Sequence, residues 1–70
     1  MKPNRKLKGL RAEHNLTQVE LAEKLGMSEY SYIKKENGET EFKVSEVNKI
    51  LEIFNARYED IFLSNEYSKA

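Results

Sequence analysis

The 70 residues, with 39% apolar and 34% charged side chains, are enough for one small soluble domain with a single core. The sequence contains no cysteine, which excludes a disulfide framework and a thiolate metal site. The formal net charge is zero, but residues 1–35 hold eight of the twelve Lys/Arg and four of the twelve Asp/Glu, a balance of +4 that residues 36–70 reverse. This asymmetry favours one side that faces a polyanion.

Five basic side chains come before the first acidic one: Lys2, Arg5, Lys6, Lys8 and Arg11. The alternative to a polyanion-facing role is that they form only the solvent-facing side of a helix. No stretch reaches the roughly 18 apolar residues of a membrane span, and no apolar run of a signal peptide follows the basic start. We therefore expect a cytoplasmic protein without membrane contact.

Helices are predicted throughout, because the period-two alternation typical of strands is absent. The first spans about Asn4–His14, and Asn15 ends it. The second begins at Thr17, and Glu20 follows three residues later, at the spacing of a capping box. The apolar positions of this second helix recur at helical spacing: Val19, Leu21, Ala22 and Leu25.

A glycine turn separates the second helix from a third. Gly26 ends the second helix, because glycine adopts a positive φ without steric cost. Ser28 caps a third helix that runs to about Asn37, and Gly38 terminates it. Two short helices joined by a tight glycine turn form a helix-turn-helix, here at about residues 17–37.

Two further helices complete the predicted fold. The fourth begins at Val44 or Ser45 and ends at Phe54, and a short fifth spans about residues 58–63. Residues 64–70 show no periodicity and are expected to be a flexible tail. The predicted fold is thus all-α, with five helices in one compact domain that spans the whole chain.

The segment LTQVELAEKLGMSEYSYIKKENG resembles the helix-turn-helix of the Xre family, the Cro- and CI-like phage repressors. The resemblance covers roughly residues 5–63. Its YxxKENG segment followed by Phe42 is similar to a subgroup common in small regulators of phages that infect Gram-positive bacteria. The sequence departs from the family at Tyr32, usually Ile or Val, at Lys35, usually apolar, and at Glu29, often Gln or Arg. The resemblance implies a repressor-like DNA-binding domain.

In such a domain the third helix lies in the major groove. Outward-facing side chains of this helix are therefore expected to read bases: Glu29, Tyr30, Ser31, Ile33 and Lys34. The glutamate would accept from cytosine N4 and the lysine would donate to guanine O6 or N7. Tyr30 and Ile33 would contact a thymine methyl, and the serine a base or a phosphate. For Tyr30, a place in the core is the alternative.

Other residues are expected to contact the DNA backbone. Gln18 would bind a phosphate through its backbone N–H at a helix N-terminus, and its side-chain amide would bond Glu29. By the resemblance, Asn37 contacts the backbone beyond the third helix. Sequence-independent attraction would come from Arg5, Lys6 and Lys8. As an alternative, Gln18 is only a favourable residue for the first turn of a helix. Asn37, likewise, only terminates the third helix.

Structural roles are expected for the remaining polar residues of this region. Glu36 is predicted to pair with Arg11, Tyr32 to lie in the core, and Lys35 to lie in solvent with its stem on apolar surface. His14, the only histidine, is expected to be a helix-terminal cation. No motif indicates an enzyme, a cofactor or a metal site.

Two functions fit these features. The first is a sequence-specific transcriptional regulator of phage or prophage type, a repressor that occupies a double-stranded DNA operator. Paired half-sites would require a homodimer, whose interface is expected among Ile53, Phe62, Leu63 and Tyr67. The second is a modulator that keeps the fold but binds another repressor protein, for which the neutral charge and the Tyr30, Tyr32 and Ile33 cluster are suited.

Overall fold

The computed structural model describes residues 2–63, which form five helices and no strand. The helices are α1 (Arg5–Glu13), α2 (Gln18–Leu25), α3 (Glu29–Glu36), α4 (Val44–Phe54) and α5 (Glu59–Leu63), the last with π-helical geometry. The all-α prediction is confirmed, and the predicted helix ends agree with the observed ones to within a residue or so. Predicted features at residues 64–70, including the flexible tail, lie outside the described residues.

The first three helices begin at side-chain caps, of which Thr17 and Ser28 were predicted. Asn4 Oδ1 accepts the Leu7 N–H at 3.0 Å. Thr17 Oγ1 accepts the Glu20 N–H at 3.1 Å, and the glutamate carboxylate accepts the Thr17 N–H at 2.9 Å, which completes the capping box. Ser28 Oγ then accepts the N–H of Ser31 at 3.1 Å. Local sequence therefore fixes where the helices that matter for the site begin.

Glycines in the left-handed region end α2 and the connector after α3. Gly26, at φ +75°, lets the chain leave α2 so sharply that the Met27 N–H donates to Ala22 O at 3.0 Å. Gly38, at φ +85°, also lies against the backbone of Lys2, so that a Cβ at this position would overlap the Lys2 carbonyl. The start of the chain is thus packed against the C-terminal end of α3.

The core lies where α2 and α3 pack against α1, α4 and α5. Its buried apolar side chains are Leu7, Leu21, Ala22, Leu25, Tyr32, Ile50, Phe54 and Ile61. Ala22 is only 1% exposed, and its small side chain permits the close approach of α3 to α2. Tyr32 is fully buried, which confirms its predicted place in the core.

One prediction for α3 is wrong. Lys35 was expected in solvent, but its Nζ lies 2.7 Å from Glu46 Oε1 and its side chain is largely buried. The same Glu46 carboxylate accepts the Lys43 N–H at 2.8 Å at the start of α4. Burial opposes its ionisation, but the hydrogen bond from Lys35 and the one from the Lys43 backbone hold the pKa of Glu46 below its ordinary value. This ion pair therefore ties the end of α3 to the beginning of α4.

Within residues 2–63, no helix is both long enough and apolar enough to cross a bilayer.

Candidate nucleic-acid interface

The side of α3 that faces away from the core carries the predicted base-reading side chains. Glu29 and Tyr30 are exposed, and Ser31, Ile33 and Lys34 are half-buried. On the same helix, Tyr32 and Glu36 point inward and are fully buried. The helical period places Tyr30, Ser31, Ile33 and Lys34 on the outer side and the two anchors on the inner side. Glu29, seven residues before Glu36, is exposed in the first turn of the helix.

Tyr30 does not lie in the core, the alternative that its sequence position allowed. Tyr30 is 71% exposed. The Nζ atom of Lys34, one turn further along α3, lies 5.1 Å from the centre of its ring. The two residues form an exposed cation–π pair on the outer side of α3.

A cluster of polar side chains fixes the inner side of α3. We call it the Glu36 cluster: Arg11, Gln18, Tyr32 and Glu36. The carboxylate accepts from Arg11 Nε at 2.9 Å and Nη2 at 3.4 Å, from Gln18 Nε2 at 2.9 Å and from the Tyr32 hydroxyl at 2.6 Å. Its donors come from α1, α2 and α3, so one fully buried carboxylate joins three helices. The predicted pairing of Glu36 with Arg11 is confirmed.

The electrostatics of the Glu36 cluster follow from these contacts. Burial by itself would raise the pKa of Glu36, but hydrogen bonds from Arg11, Tyr32 and Gln18 outweigh it and hold this pKa below its ordinary value. Burial, and then the bond to the carboxylate, raises the pKa of Tyr32. The bond to Glu36 likewise raises the pKa of Arg11. The glutamate and arginine are thus charged at neutral pH and the tyrosine is neutral.

Gln18 occupies the expected place, but its side chain has a different partner. The expected bond to Glu29 is wrong, because the amide donates to Glu36 instead. Gln18 is the first residue of α2, so its backbone N–H has no acceptor within the helix. Its backbone therefore remains suited to an anion, while its side chain belongs to the Glu36 cluster.

Of the other predicted backbone-contacting residues, three are on α1 and one follows α3. Arg5 and Lys6 are exposed on the first turn of α1, and Lys8 is half-buried. Asn37 is the C-cap of α3, and its N–H donates to Ile33 O at 2.9 Å. The backbone of Asn37 is therefore already used, and its side chain is the group that remains for a phosphate.

Sequence reasoning missed the negative charge directly beyond α3. Glu39 and Glu41 are both exposed in the connector to α4. The connector folds back on α3, because the Glu39 and Thr40 N–H groups donate to Lys34 O at 2.9 and 3.4 Å. The signal was present in the sequence, where these two acids follow Gly38 closely.

The expected dimer or partner residues are only partly available. Ile53 and Phe62 are half-buried and pack against the core, Leu63 is half-buried, and Tyr67 lies outside the described residues. Other apolar residues are more exposed than these, among them Val44, at 77%, and Tyr58, at 46%. Tyr58 also stacks on Phe62 and lines an open groove of about 580 Å³ beside Phe42 and Val47.

Comparison with known proteins agrees with this geometry. The model of a family described as helix-turn-helix matches residues 7–61, which extend from the buried Leu7 of α1 to the buried Ile61 of α5. The chain belongs to the helix-turn-helix family. Family membership accounts for the capped helices, the Gly26 turn and the close packing of α2 on α3.

Three archaeal proteins are similar to this chain over most of its length. An uncharacterized HTH-type transcriptional regulator of Methanocaldococcus jannaschii is 45% identical over 58 residues, which cover 83% of this chain and 88% of that protein. Two uncharacterized HTH-type transcriptional regulators of Archaeoglobus fulgidus are 36% and 33% identical over 61 residues, covering 87% of this chain and 86% and 87% of theirs. No solved structure matches the chain significantly.

Proposed function

We propose that this protein is a sequence-specific DNA-binding transcriptional regulator whose α3 reads the major groove. The observation that carries the proposal is the division of α3 into an outer side of polar and aromatic groups and an inner side fixed by the Glu36 cluster. A recognition helix needs both properties, since base-edge contacts require side chains held in a defined register. The names of the archaeal relatives support the same function.

The proposed base contacts are made from the outer side of α3. Glu29, in the first turn, accepts from cytosine N4, and Lys34 donates to guanine O6 or N7. Tyr30 and Ile33 contact a thymine methyl, and Ser31 contacts a base or a phosphate. The glutamate disfavours any DNA that does not offer a donor there, because its carboxylate would then lie unpaired near phosphates.

The proposed backbone contacts surround this helix. The Gln18 N–H meets a phosphate at the positive end of α2, supported by the helix dipole. Asn37 contacts the backbone at the other end of α3. Arg5, Lys6 and Lys8 add attraction that does not depend on sequence and that weakens with salt.

We further propose that the protein acts as a repressor of phage or prophage type, in the cytoplasm and without enzymatic activity. The phage assignment rests on the resemblance of the YxxKENG segment and Phe42. Repression of an operator with two half-sites requires a homodimer, for which Ile53, Phe62, Leu63 and Tyr67 remain the proposed contacts.

A second candidate function is a modulator that binds another repressor. The exposure of Tyr30, at 71%, favours it, because tyrosine is a frequent anchor in protein interfaces. The zero net charge and the exposed Glu39 and Glu41 are also compatible with a protein partner.

Selection of the purified protein on a random-sequence duplex pool, at low and then moderate salt, tests the first function. An enriched two-fold motif is the expected result for a dimer, and a single enriched half-site indicates a monomer that needs a partner. Retention only at low salt, without any enriched sequence, would overturn sequence-specific reading and favour the modulator.

Substitutions then assign the contacts. Lys34→Ala should cost about 1–3 kcal/mol and relax specificity at one base pair. Lys6→Ala should weaken binding to all sequences alike and reduce the salt dependence. Lys49→Ala, an exposed lysine on α4, is the matched control and should leave both affinity and specificity unchanged.

A further inference from the structure

We propose that Tyr30 is a positioning residue for Lys34, and that its ring sets how strictly the lysine selects guanine. The proposal rests on the proposed DNA-reading function and concerns the same site. It assigns to Tyr30 a role at the base pair that Lys34 reads, in addition to its own contact with a neighbouring thymine methyl.

The Tyr30 ring and the Lys34 ammonium group form a cation–π pair on α3. Lys34 Nζ lies 5.1 Å from the centre of the Tyr30 ring, within the distance at which the ring attracts an ammonium group. The residues are four apart on α3, so their side chains lie on one side of the helix, one turn apart. Within residues 2–63, no carboxylate lies within ion-pair distance of Lys34 Nζ. The ring is therefore the group that orders this ammonium in the unbound protein.

Order in Lys34 matters because a lysine side chain is otherwise poorly suited to selecting a base. Its flexible stem and point charge let the ammonium reach phosphates as readily as a guanine edge. An ammonium has three N–H donors, and contact with a ring face leaves donors free for guanine O6 and N7. Because the Lys34 side chain is already held against Tyr30, less conformational entropy is lost when its ammonium group binds guanine. The same contact keeps the ammonium group from binding phosphates instead.

The rest of α3 is fixed well enough for this pair to have a defined place. The backbone carbonyl of Lys34 accepts the Glu39 and Thr40 N–H groups, and Glu36, two residues on, is held by the Glu36 cluster. Tyr30 follows Glu29 in the capped first turn of α3. Both ends of the Tyr30–Lys34 pair are thus attached to ordered backbone.

The test first examines the free protein by NMR. A ring held over the lysine should move the Hε protons of Lys34 upfield relative to those of the exposed Lys49. Tyr30→Leu should abolish that shift and Tyr30→Phe should retain it, because only the ring is needed. Equal Lys34 Hε shifts in the wild type and in Tyr30→Leu would overturn the proposal without reference to DNA.

The second part measures binding to the selected duplex and to a duplex in which the Lys34 base pair is changed from G·C to A·T. Tyr30→Leu should reduce the G·C preference by about two- to fivefold, the range expected for an exposed cation–π pair, and Tyr30→Phe should restore it. In a Lys34→Met background, Tyr30→Leu should have no further effect at this base pair. Tyr58→Leu, which removes another exposed tyrosine, is the matched control.

The outcomes separate the two proposals. If the wild type prefers G·C and Lys34→Met abolishes that preference while Tyr30→Leu retains it in full, the positioning role is wrong and DNA reading stands. If the wild type selects no sequence, the proposed function fails and the guanine selectivity assigned to this pair fails with it. Melting temperatures of all variants show that a loss of preference does not arise from unfolding.

Discussion

The hydroxyl of Tyr32 donates a 2.6 Å hydrogen bond to the fully buried carboxylate of Glu36, one turn further along the same helix. By the family resemblance, an aliphatic residue is usual at the position of Tyr32. Here the tyrosine hydroxyl replaces it with a hydrogen-bond donor that belongs to the Glu36 cluster. The Tyr32 ring packs in the core, and its hydroxyl donates to the charged Glu36 carboxylate on the inner side of α3.

Tyr32→Phe should lower the free energy of unfolding by about 1.5–3 kcal/mol, the range for a hydrogen bond to a charged group. The ring volume is kept, so the loss reports the missing donor and not a cavity. Urea denaturation monitored by circular dichroism measures it. Tyr30→Phe, which removes a hydroxyl from an exposed ring, should change stability by less than about 0.5 kcal/mol. Equal effects of the two variants would contradict the role of the buried bond.

Arg11→Met should lower the free energy of unfolding by about 3–5 kcal/mol, because it leaves a buried carboxylate without its cation. The arginine also donates to Leu16 O at 3.1 Å, so the turn between α1 and α2 loses a bond as well. Arg57→Met is the matched control, since Arg57 is exposed and its pairing with Asp60 is worth little. Thermal unfolding of both variants makes the comparison, and a small effect for Arg11 would show that the carboxylate finds other partners.

Stability should fall in acid because the pKa of Glu36 is lower in the folded protein than its ordinary value of 4.5. Well above pH 4.5 the carboxylate is ionised in both states, and its stabilising contribution is complete. Below pH 4.5 the unfolded chain takes up the proton first, so stability is lost as the pH falls through the lower folded pKa. Unfolding measured from pH 7 to pH 2 should show this decline.

Substitution can distinguish the contributions of Glu36 and Glu46, the two carboxyl groups with lowered pKa values, to the loss of stability in acid. Glu36→Gln and Glu46→Gln should each flatten part of the acid-dependent decline, because each removes one group that binds fewer protons in the folded state. A Glu36→Gln curve parallel to that of the wild type would show that the decline has another source.

Substitution of each of the three glycines by alanine should change the free energy of unfolding, with a sign that depends on the position. Gly38→Ala combines a positive φ with overlap on the Lys2 backbone and should be the most destabilising, by more than about 2 kcal/mol. Gly26→Ala has the positive φ alone and should cost about 1 kcal/mol. Gly9→Ala, inside α1 with open space around it, should stabilise by up to about 1 kcal/mol. Melting temperatures give the order, and equal losses at Gly26 and Gly38 would show that the Lys2 contact is not maintained in solution.

The parts of the fold that sequence predicted are those that depend on neighbours in the chain. Thr17 and Ser28 cap helices through bonds to residues three positions on, and Gly26 ends a helix through its own φ. Such signals are readable because they need no knowledge of what packs where. Lys35 shows the limit, since its partner Glu46 is eleven residues away on the next helix.

For the candidate site, the sequence predicted which residues α3 carries but not all of their contacts with other helices. The family resemblance predicts that Glu29 and Lys34 face outward from α3, and in the structure the first is exposed and the second half-buried. The side-chain partner of Gln18 was not predictable, because three helices must first come together before its amide meets Glu36. Whether Tyr30 is exposed depends on the rotation of α3 against the core, which periodicity over one short helix leaves open.

The hydrogen bonds of the Glu36 cluster couple the effects of substitutions at its four positions, which lie on three helices. Replacing one member leaves the others with an unmatched charge or donor, so drift at any one position is opposed by the other three. Replacing all four together with apolar side chains of similar volume removes the desolvation cost along with the bonds, and such exchanges are often neutral or favourable. A redesigned variant of this kind would keep the fold while leaving the outer side of α3 to vary independently.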